Sequence, residues 1–304
     1  MAISPVATEV AVVFNPDSNL ASTTNNDIFV MGPDGSGRQG ITNSLANDNS
    51  PLYSPDSRYI GYLAMTTPGF EADRQQLMVL RARNRTSGNG HGEVGSQHPG
   101  FPVAAGFPCR DRRGRGAWRP TICTGSRSRQ ASTTRLVTGG LNSAVQIPVR
   151  GESMVFLRES ATHPEEVFIA GLDGKRMRQL TKVHDAALEE LDLPPMDTLR
   201  FVGAQGDSGL RLADQAACAS TPPGNIPSVY LIHGGPQSAW LDQWHARWNY
   251  ALFASRGYVV AAVNFHGSTG YGQVFTNSIS RNWGGPPYED LMKGAGCRLS
   301  ACPT

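Results

Sequence analysis

Ser228-Val-Tyr-Leu-Ile232 and Tyr258-Val-Val-Ala-Ala-Val263 are two short apolar runs, and the residues between them, Trp244 to Arg256, have a helical pattern. Gly257 stands where a glycine commonly ends a helix. Two buried strands that flank a helix predict a βαβ unit in a parallel sheet. We therefore expect residues 196–304 to form an α/β domain.

The same part of the chain carries further predicted elements. Leu199-Arg-Phe-Val-Gly203 and Gly209-Leu-Arg-Leu-Ala213 read as short strands. Trp240, Trp244 and Trp248 recur at every fourth position, which places them along one stripe of a helix. We predict that this stripe packs against the sheet and does not form a substrate cage.

A glycine-rich turn, His233-Gly234-Gly235-Pro236, follows the first apolar run directly. Glycines at the carboxyl end of a strand let the backbone turn sharply and expose its N–H groups. In α/β hydrolases the loop after this strand supplies an N–H of the oxyanion hole, and it is often glycine-rich after a histidine. We predict an oxyanion loop at Gly234, Gly235 and Pro236, with the His233 imidazole packed and without a chemical role.

The N-terminal half contains internal repeats. Residues 27–42 align without a gap with residues 166–181, each copy being an apolar strand, an x-Asp-Gly turn, a polar stretch and an apolar residue followed by Thr. Phe14-Asn-Pro-Asp-Ser18 is likewise echoed by Tyr53-Ser-Pro-Asp-Ser57. Strand–turn–strand repeats of roughly 40 residues are typical of β-propeller blades. Residues 1–195 are therefore predicted to be a partial β-propeller; two unrelated hairpins remain the alternative.

One apparent motif is rejected. Gly35-Ser-Gly37-Arg-Gln-Gly40 fits the dinucleotide fingerprint G-x-G-x-x-G, which requires a helix directly after it. Residues 41–51 have the composition of a loop, and the second repeat copy retains only the first of these glycines. We predict no cofactor.

Composition excludes several functional classes. The 304 residues carry a formal net charge of +2, which provides no general attraction to nucleic acid or to an acidic membrane. No run approaches the roughly 18 apolar residues of a membrane span, and no signal peptide can be recognised in residues 1–14. The cysteines number five and none forms a C-x-x-C pair, so no metal site is predicted.

Residues 88–150 differ from their surroundings. Between Arg110 and Arg135 there are eight arginines, no lysine and a single acid, Asp111. Trp118 is the only aromatic residue among them, which argues against an RNA-binding arm. Two explanations remain open: a reading-frame or splicing error, and a disordered basic loop.

From HGGP onward the chain resembles the prolyl oligopeptidase family of serine peptidases, and within it the secreted dipeptidyl-peptidase V branch. The residues that carry the resemblance lie in order along residues 228–294: His233 to Pro236, Phe253-Ala-Ser-Arg-Gly-Tyr258, Asn264-Phe-His-Gly-Ser-Thr-Gly-Tyr-Gly272, Trp283-Gly-Gly285 and Glu289-Asp-Leu291. Ser54 to Ser57, Gly69 to Arg74 and Glu166 to Thr181 resemble the propeller of that branch.

The resemblance implies a β-propeller (partial, N-terminal) followed by an α/β-hydrolase domain (partial, C-terminal). It implies an enzyme that removes dipeptides from peptide N-termini through an acyl-enzyme, and it implies secretion. The implied partner is a peptide substrate of the full-length relative, without nucleic acid or membrane. Such a site must hold an ammonium group, for which carboxylates are suited; Glu71 and Asp73 are the candidates.

The sequence departs from the family pattern in its nucleophile. No serine has Gly at both −2 and +2, as the nucleophile elbow G-x-S-x-G requires, and Ser268 comes nearest because Gly270 follows it but His266 precedes it. Without a Ser–His pair no acyl-enzyme forms. We therefore expect this chain to be inactive and, since a parallel sheet lacking its later strands exposes an apolar face, prone to aggregation. A non-catalytic propeller binding protein and an esterase of the same hydrolase fold are the alternatives.

Overall fold

The computed structural model of the chain describes residues 1–54, 56–82, 102–103, 122–125, 133–148, 152–193, 196, 200–206 and 227–301. Their contacts divide them into two compact units. The first unit holds the described residues of 1–103, 123–134 and 147–154, and the second those of 104–122, 135–146 and 155–304. The predicted domain boundary near residue 195 stays a prediction.

The strands of the described residues are short and follow one another closely. In chain order they are β1 Ala2–Ile3, β2 Val10–Phe14, β3 Asp27–Met31, β4 Gln39–Gly40, β5 Asp48–Tyr53, β6 Tyr59–Ala64, β7 Gln76–Arg81, β8 Pro102–Val103, β9 Ile122–Gly125, β10 Thr133–Val137, β11 Leu141–Gln146, β12 Ser153–Ser160, β13 His163–Gly171, β14 Arg178–Gln179, β15 Ser228–Leu231 and β16 Val259–Ala262. The α-helices are α1 Asp185–Leu188, α2 Tyr250–Ala254, α3 Gln273–Asn277 and α4 Pro286–Ala301, with 3-10 turns at Leu20–Ser22 and Ala204–Gly206.

Strands β1 to β14 form meander sheets in which each strand is hydrogen-bonded to its neighbour in sequence. The orders are β1-β2-β3-β4, β5-β6-β7, β10-β9-β8 and β11-β12-β13-β14. Buried side chains from these strands form a core in the first unit, where Ala11, Ile28, Ile60 and Tyr62 pack together. Each sheet has the strand order of a propeller blade, whereas a closed propeller is not shown by the described residues.

The predicted repeat is confirmed at the level of strand register. In the first copy Phe29 pairs with Gly40, and in the second Phe168 pairs with Gln179, the aligned positions. The dinucleotide fingerprint has no helix after it, because Gly40 lies in strand β4. The prediction of a loop over residues 41–51 is wrong at its end, since β5 begins at Asp48.

The predicted βαβ unit is also confirmed. Strands β15 and β16 pair in parallel from Ser228 with Val259 to Leu231 with Ala262, and α2 lies between them in the chain. All of β16 is buried, whereas in the first apolar run only Leu231 is, and Ile232 is 56% exposed. The prediction of a buried first strand is therefore wrong except at Leu231, and the large apolar side chain of Ile232 is exposed beside the sheet.

The predicted helix from Trp244 to Arg256 is wrong except over α2. The N–H of Trp240 donates to Asn264 Oδ1 at 2.8 Å and that of Trp244 to Glu159 Oε2 at 3.1 Å. These amides are bonded to side chains and not to carbonyls four residues earlier, so no helical stripe forms and Trp248 is exposed. The helix begins only where the Asn249 side chain accepts the N–H of Ala251.

The end of α2 and the strands predicted before it had different outcomes. Gly257 ends α2 as predicted, with a φ of +84°, and its N–H donates a hydrogen bond to the carbonyl oxygen of Ala254. Phe201 to Gly203 are not a strand, and a 3-10 turn follows them. The predicted strand at 209–213 and most of the arginine-rich stretch lie outside the described residues. Among the residues described, no helix is both long and apolar enough to cross a membrane.

Candidate active site

The glycine-rich turn lies at the carboxyl end of β15, where the strands of a parallel α/β sheet present ligand-binding loops. Gly234 and Gly235 are exposed, and their N–H groups have no acceptor among the described residues. Gly235 has a φ of +130°, and a Cβ there would lie 2.8 Å from the backbone N of Gln237. The turn therefore requires glycine at 235 and leaves backbone donors open to solvent, as an oxyanion loop needs.

His233 is held in place by its neighbours. Its Nε2 lies 2.8 Å from Ser268 Oγ, its Nδ1 lies 3.0 Å from the carbonyl oxygen of Gly234, and its ring stacks on Phe265 with centroids 4.3 Å apart. Burial lowers the pKa of His233, although the Gly234 carbonyl acts in the opposite direction. In the neutral ring Nδ1–H donates to Gly234, so Nε2 accepts the hydroxyl proton of Ser268. This agrees with the expectation that the imidazole is packed.

Sequence reasoning missed the Ser268–His233 pair. Ser268 has 0% exposure, so its hydroxyl cannot contact a substrate, even though it lies beside an imidazole as a nucleophile would. The available signal was positional, because His233 and Ser268 each follow one of two parallel strands. The Ser268 hydroxyl therefore holds His233 and does not act as a nucleophile.

Asp290 of α4 is a second buried group whose partners sequence reasoning did not predict, because only the family resemblance singled it out. Its Oδ1 accepts the N–H of Ala204 at 2.6 Å, and its Oδ2 accepts the N–H of His266 at 2.7 Å and lies 2.6 Å from His266 Nδ1. A buried carboxylate with these partners fixes the backbone after β16 to α4. Within the described ranges, no group of three His, Cys, Asp or Glu side chains could hold a metal ion.

The two predicted ammonium-binding carboxylates lie in the first unit and differ in their surroundings. Glu71 is exposed. Asp73 Oδ2 accepts the N–H of Thr66 at 2.9 Å and that of Thr67 at 2.7 Å. Burial opposes ionisation of Asp73, but these backbone donors outweigh it and the pKa is lowered. Asp73 thus shapes its own loop, and the assignment of both residues to a substrate amine stays a prediction.

The sequence matches a known peptidase family over part of its length and is similar to several longer relatives. Residues 244–299 match the prolyl oligopeptidase family. A probable dipeptidyl-peptidase 5 from Emericella nidulans is 30% identical over 287 residues, 87% of this chain and 36% of the relative. One from Aspergillus clavatus is 32% identical over 285 residues, again 87% of this chain and 36% of the relative. The chain thus spans a little over a third of the length of these relatives.

Solved structures show the same fold in distant peptidases. An acylaminoacyl peptidase from Pyrococcus horikoshii aligns with a TM-score of 0.66 at 17% identity, covering 96% of this chain and 44% of that one. A puromycin-hydrolyzing peptidase from Mycobacterium tuberculosis aligns with a TM-score of 0.59 at 18% identity, covering 98% and 47%. At such identities the likeness concerns the fold alone.

Proposed function

We propose that the chain carries the oxyanion-stabilising part of a serine-peptidase site: residues 244–299 match the prolyl oligopeptidase family, and the glycine-rich turn lies shortly before them in the chain. The N–H groups of Gly234 and Gly235 would bind the oxygen of a peptide carbonyl as negative charge develops on it. The observation that carries this proposal is that both residues are exposed and that their N–H groups have no acceptor among the described residues, at the end of β15.

The proposed reaction is the release of dipeptides from peptide N-termini by a secreted enzyme, by likeness to the dipeptidyl-peptidase 5 relatives. Of the two carboxylates we propose Glu71, which is exposed, as the one that receives the substrate ammonium. Asp73 would support it by holding the loop.

The nucleophile motif of the resembled family is absent from these 304 residues. The chain contains no Gly-x-Ser-x-Gly sequence, and Ser268 is fully buried. We therefore propose that the 304-residue chain by itself forms no acyl-enzyme. The purified chain should leave dipeptide nitroanilides intact and remain unlabelled by a fluorophosphonate probe. Labelling of any serine would contradict this.

A chimera tests the oxyanion role directly. Residues 228–294 of this chain replace the matching segment of the Emericella nidulans relative. In it, Gly234→Pro removes an N–H, whereas Gly234→Ala keeps the N–H and places its Cβ with nothing within 4 Å. Loss of an oxyanion donor costs about 10²- to 10³-fold in kcat. We expect that loss for the proline variant and near-parental kcat for the alanine variant.

A further variant probes the second donor. In the same chimera Gly235→Ala displaces the turn, because its Cβ would overlap the backbone of Gln237 and Ser238. We expect kcat to fall with little change in KM. If both Gly234→Pro and Gly235→Ala retain the parental kcat in a folded chimera, the oxyanion assignment is wrong.

A further inference from the structure

Two loops of the second unit are joined by several hydrogen bonds. We call residues 233–240 the glycine loop and residues 264–269, which follow strand β16, the brace. The Ser268 hydroxyl donates to His233 Nε2 at 2.8 Å, and the N–H of Thr269 donates to the carbonyl of Ser238 at 2.8 Å. The brace therefore bonds to both the first residue and the middle of the glycine loop.

A third connection closes the far end of the glycine loop. Asn264 Oδ1 accepts the N–H of Trp240 at 2.8 Å, and Asn264 Nδ2 donates to the carbonyl of Trp240 at 3.0 Å. One amide side chain thus satisfies both backbone groups of a single buried residue. Asn264 and Trp240 are both buried, so these bonds are shielded from competing water.

The brace itself is held rigidly. Gly267 has a φ of +95°, and a Cβ there would lie 2.3 Å from Ile279 Cδ1, so the backbone passes close to that side chain. The carbonyl of Ser268 accepts the Thr276 hydroxyl of α3 at 3.2 Å, and the N–H of His266 donates to Asp290 of α4. Helices α3 and α4 thus anchor the brace, and the brace anchors the glycine loop.

We propose that Ser268 and Asn264 are positioning residues that hold the Gly234 and Gly235 N–H groups in the orientation an oxyanion requires. This inference rests on the proposed function of the glycine loop. Its physical basis is that an oxyanion donor is effective only when it is oriented before the reaction, so that no reorganisation is needed as charge develops. The N–H groups of Gly234 and Gly235 make no hydrogen bond to described residues, so their orientation depends on the anchored residues around them.

Hydrogen exchange in the full chain tests the positioning without any need for activity. The probes are the N–H groups of Ser238, Trp240 and Thr269, which donate to Pro236 O, Asn264 Oδ1 and Ser238 O. In Ser268→Ala we expect exchange at these amides to rise about tenfold, since one buried hydrogen bond is lost, while exchange at the β16 amides stays unchanged. A residue with a merely structural role would raise exchange in β16 as well.

Ser278→Ala is the matched control. It removes a serine hydroxyl from the same region, but that hydroxyl donates locally to the carbonyl of Phe275 at 2.7 Å and does not reach the glycine loop. We expect unchanged exchange at Ser238 and Trp240. Asn264→Ala removes both hydrogen bonds to Trp240, so exchange at the Trp240 amide should rise at least as much as in Ser268→Ala.

The chimera separates failure of this inference from failure of the proposed function. Ser268→Ala and Asn264→Ala are expected to lower kcat about tenfold or more with KM nearly unchanged. The reason is that oxyanion donors stabilise mainly the transition state and contribute little to the binding of the substrate. Faster exchange in the loop with full kcat would overturn the positioning role of Ser268 and Asn264, whereas full kcat in Gly234→Pro and Gly235→Ala would overturn the oxyanion role itself. Unchanged exchange at all three probe amides in Ser268→Ala would overturn the brace.

Discussion

Residues 27–42 and residues 166–181 fold into the same strand–turn–strand element, one in each compact unit. In both copies the N–H after the initial acid donates to a threonine hydroxyl at 2.8 Å, from Ile28 to Thr42 and from Val167 to Thr181. That hydroxyl donates in turn to the acid, Asp27 in the first copy and Glu166 in the second. The two copies thus share their hydrogen bonds as well as their sequence pattern.

The pKa values of the two acids are nevertheless shifted in opposite directions. Burial raises the pKa of Asp27, with the Asp17 carboxylate adding to it against the Thr42 hydroxyl. Burial opposes ionisation of Glu166 too, but the Thr181 hydroxyl and the N–H of His184, 2.9 Å from Glu166 Oε1, outweigh it and lower the pKa. The repeated sixteen residues therefore share their backbone pattern, while Asp17 and His184, which lie outside them, help to shift the two pKa values in opposite directions.

The largest effect on the free energy of unfolding is expected from Gly→Ala at the turn glycine of each repeat copy, because the two glycines have different surroundings. Gly35 and Gly174 occupy the same turn position, with φ of +84° and +76°. A Cβ at Gly174 would lie 2.2 Å from the carbonyl oxygen of Leu136, whereas one at Gly35 has nothing within 4 Å. We expect Gly174→Ala to cost about 3–5 kcal/mol, from overlap together with left-handed backbone, and Gly35→Ala about 1–2 kcal/mol. Denaturant unfolding measures both, and equal costs would contradict the difference in packing.

An intermediate effect is expected from neutralising the two acids. Glu166→Gln should lower the free energy of unfolding by about 2–3 kcal/mol, because a charge-assisted hydrogen-bond set is lost in a buried site. Asp27→Asn should cost less than about 1 kcal/mol, since burial already disfavours its charged form. Exposed Glu165 provides the control, and Glu165→Gln should change little. A larger cost at Asp27 than at Glu166 would reverse the comparison.

The smallest effect is a difference in pH dependence. The lowered pKa of Glu166 means that its stabilisation is present above its unfolded pKa of about 4.3 and is lost as pH falls through the folded pKa. The raised pKa of Asp27 has the opposite sign, so its contribution is lost as pH rises through the folded pKa. As pH falls from about 6 to 3, opening at the Ile41 amide should first become harder as Asp27 is protonated, and opening at the Leu180 amide should then become easier as Glu166 is protonated. Hydrogen exchange corrected for intrinsic rates measures this; Asp27→Asn should remove the Ile41 trend and Glu166→Gln the Leu180 trend.

The local pattern of the chain was readable in several places. The alignment of residues 27–42 with 166–181 predicted the strand register, because turn residues and alternating apolar positions act within a few residues of each other. The βαβ pairing of β15 with β16 and the end of α2 at Gly257 were predicted for the same reason. The glycine-rich turn from His233 to Pro236 was found from its four residues, although its role stays a prediction.

Partners distant in sequence were not readable. The tryptophan spacing predicted a helix, but Asn264 and Glu159 take the amides of Trp240 and Trp244 from 24 and 85 positions away. The pairing of His233 with Ser268 and of His266 with Asp290 likewise depends on loops that meet only in the folded sheet. Sequence spacing determines which backbone conformations are favourable locally. The tertiary structure decides which side chain satisfies a given amide and in which direction the pKa of a carboxyl group shifts, because hydrogen bonds and electrostatic fields act between groups that are close in space.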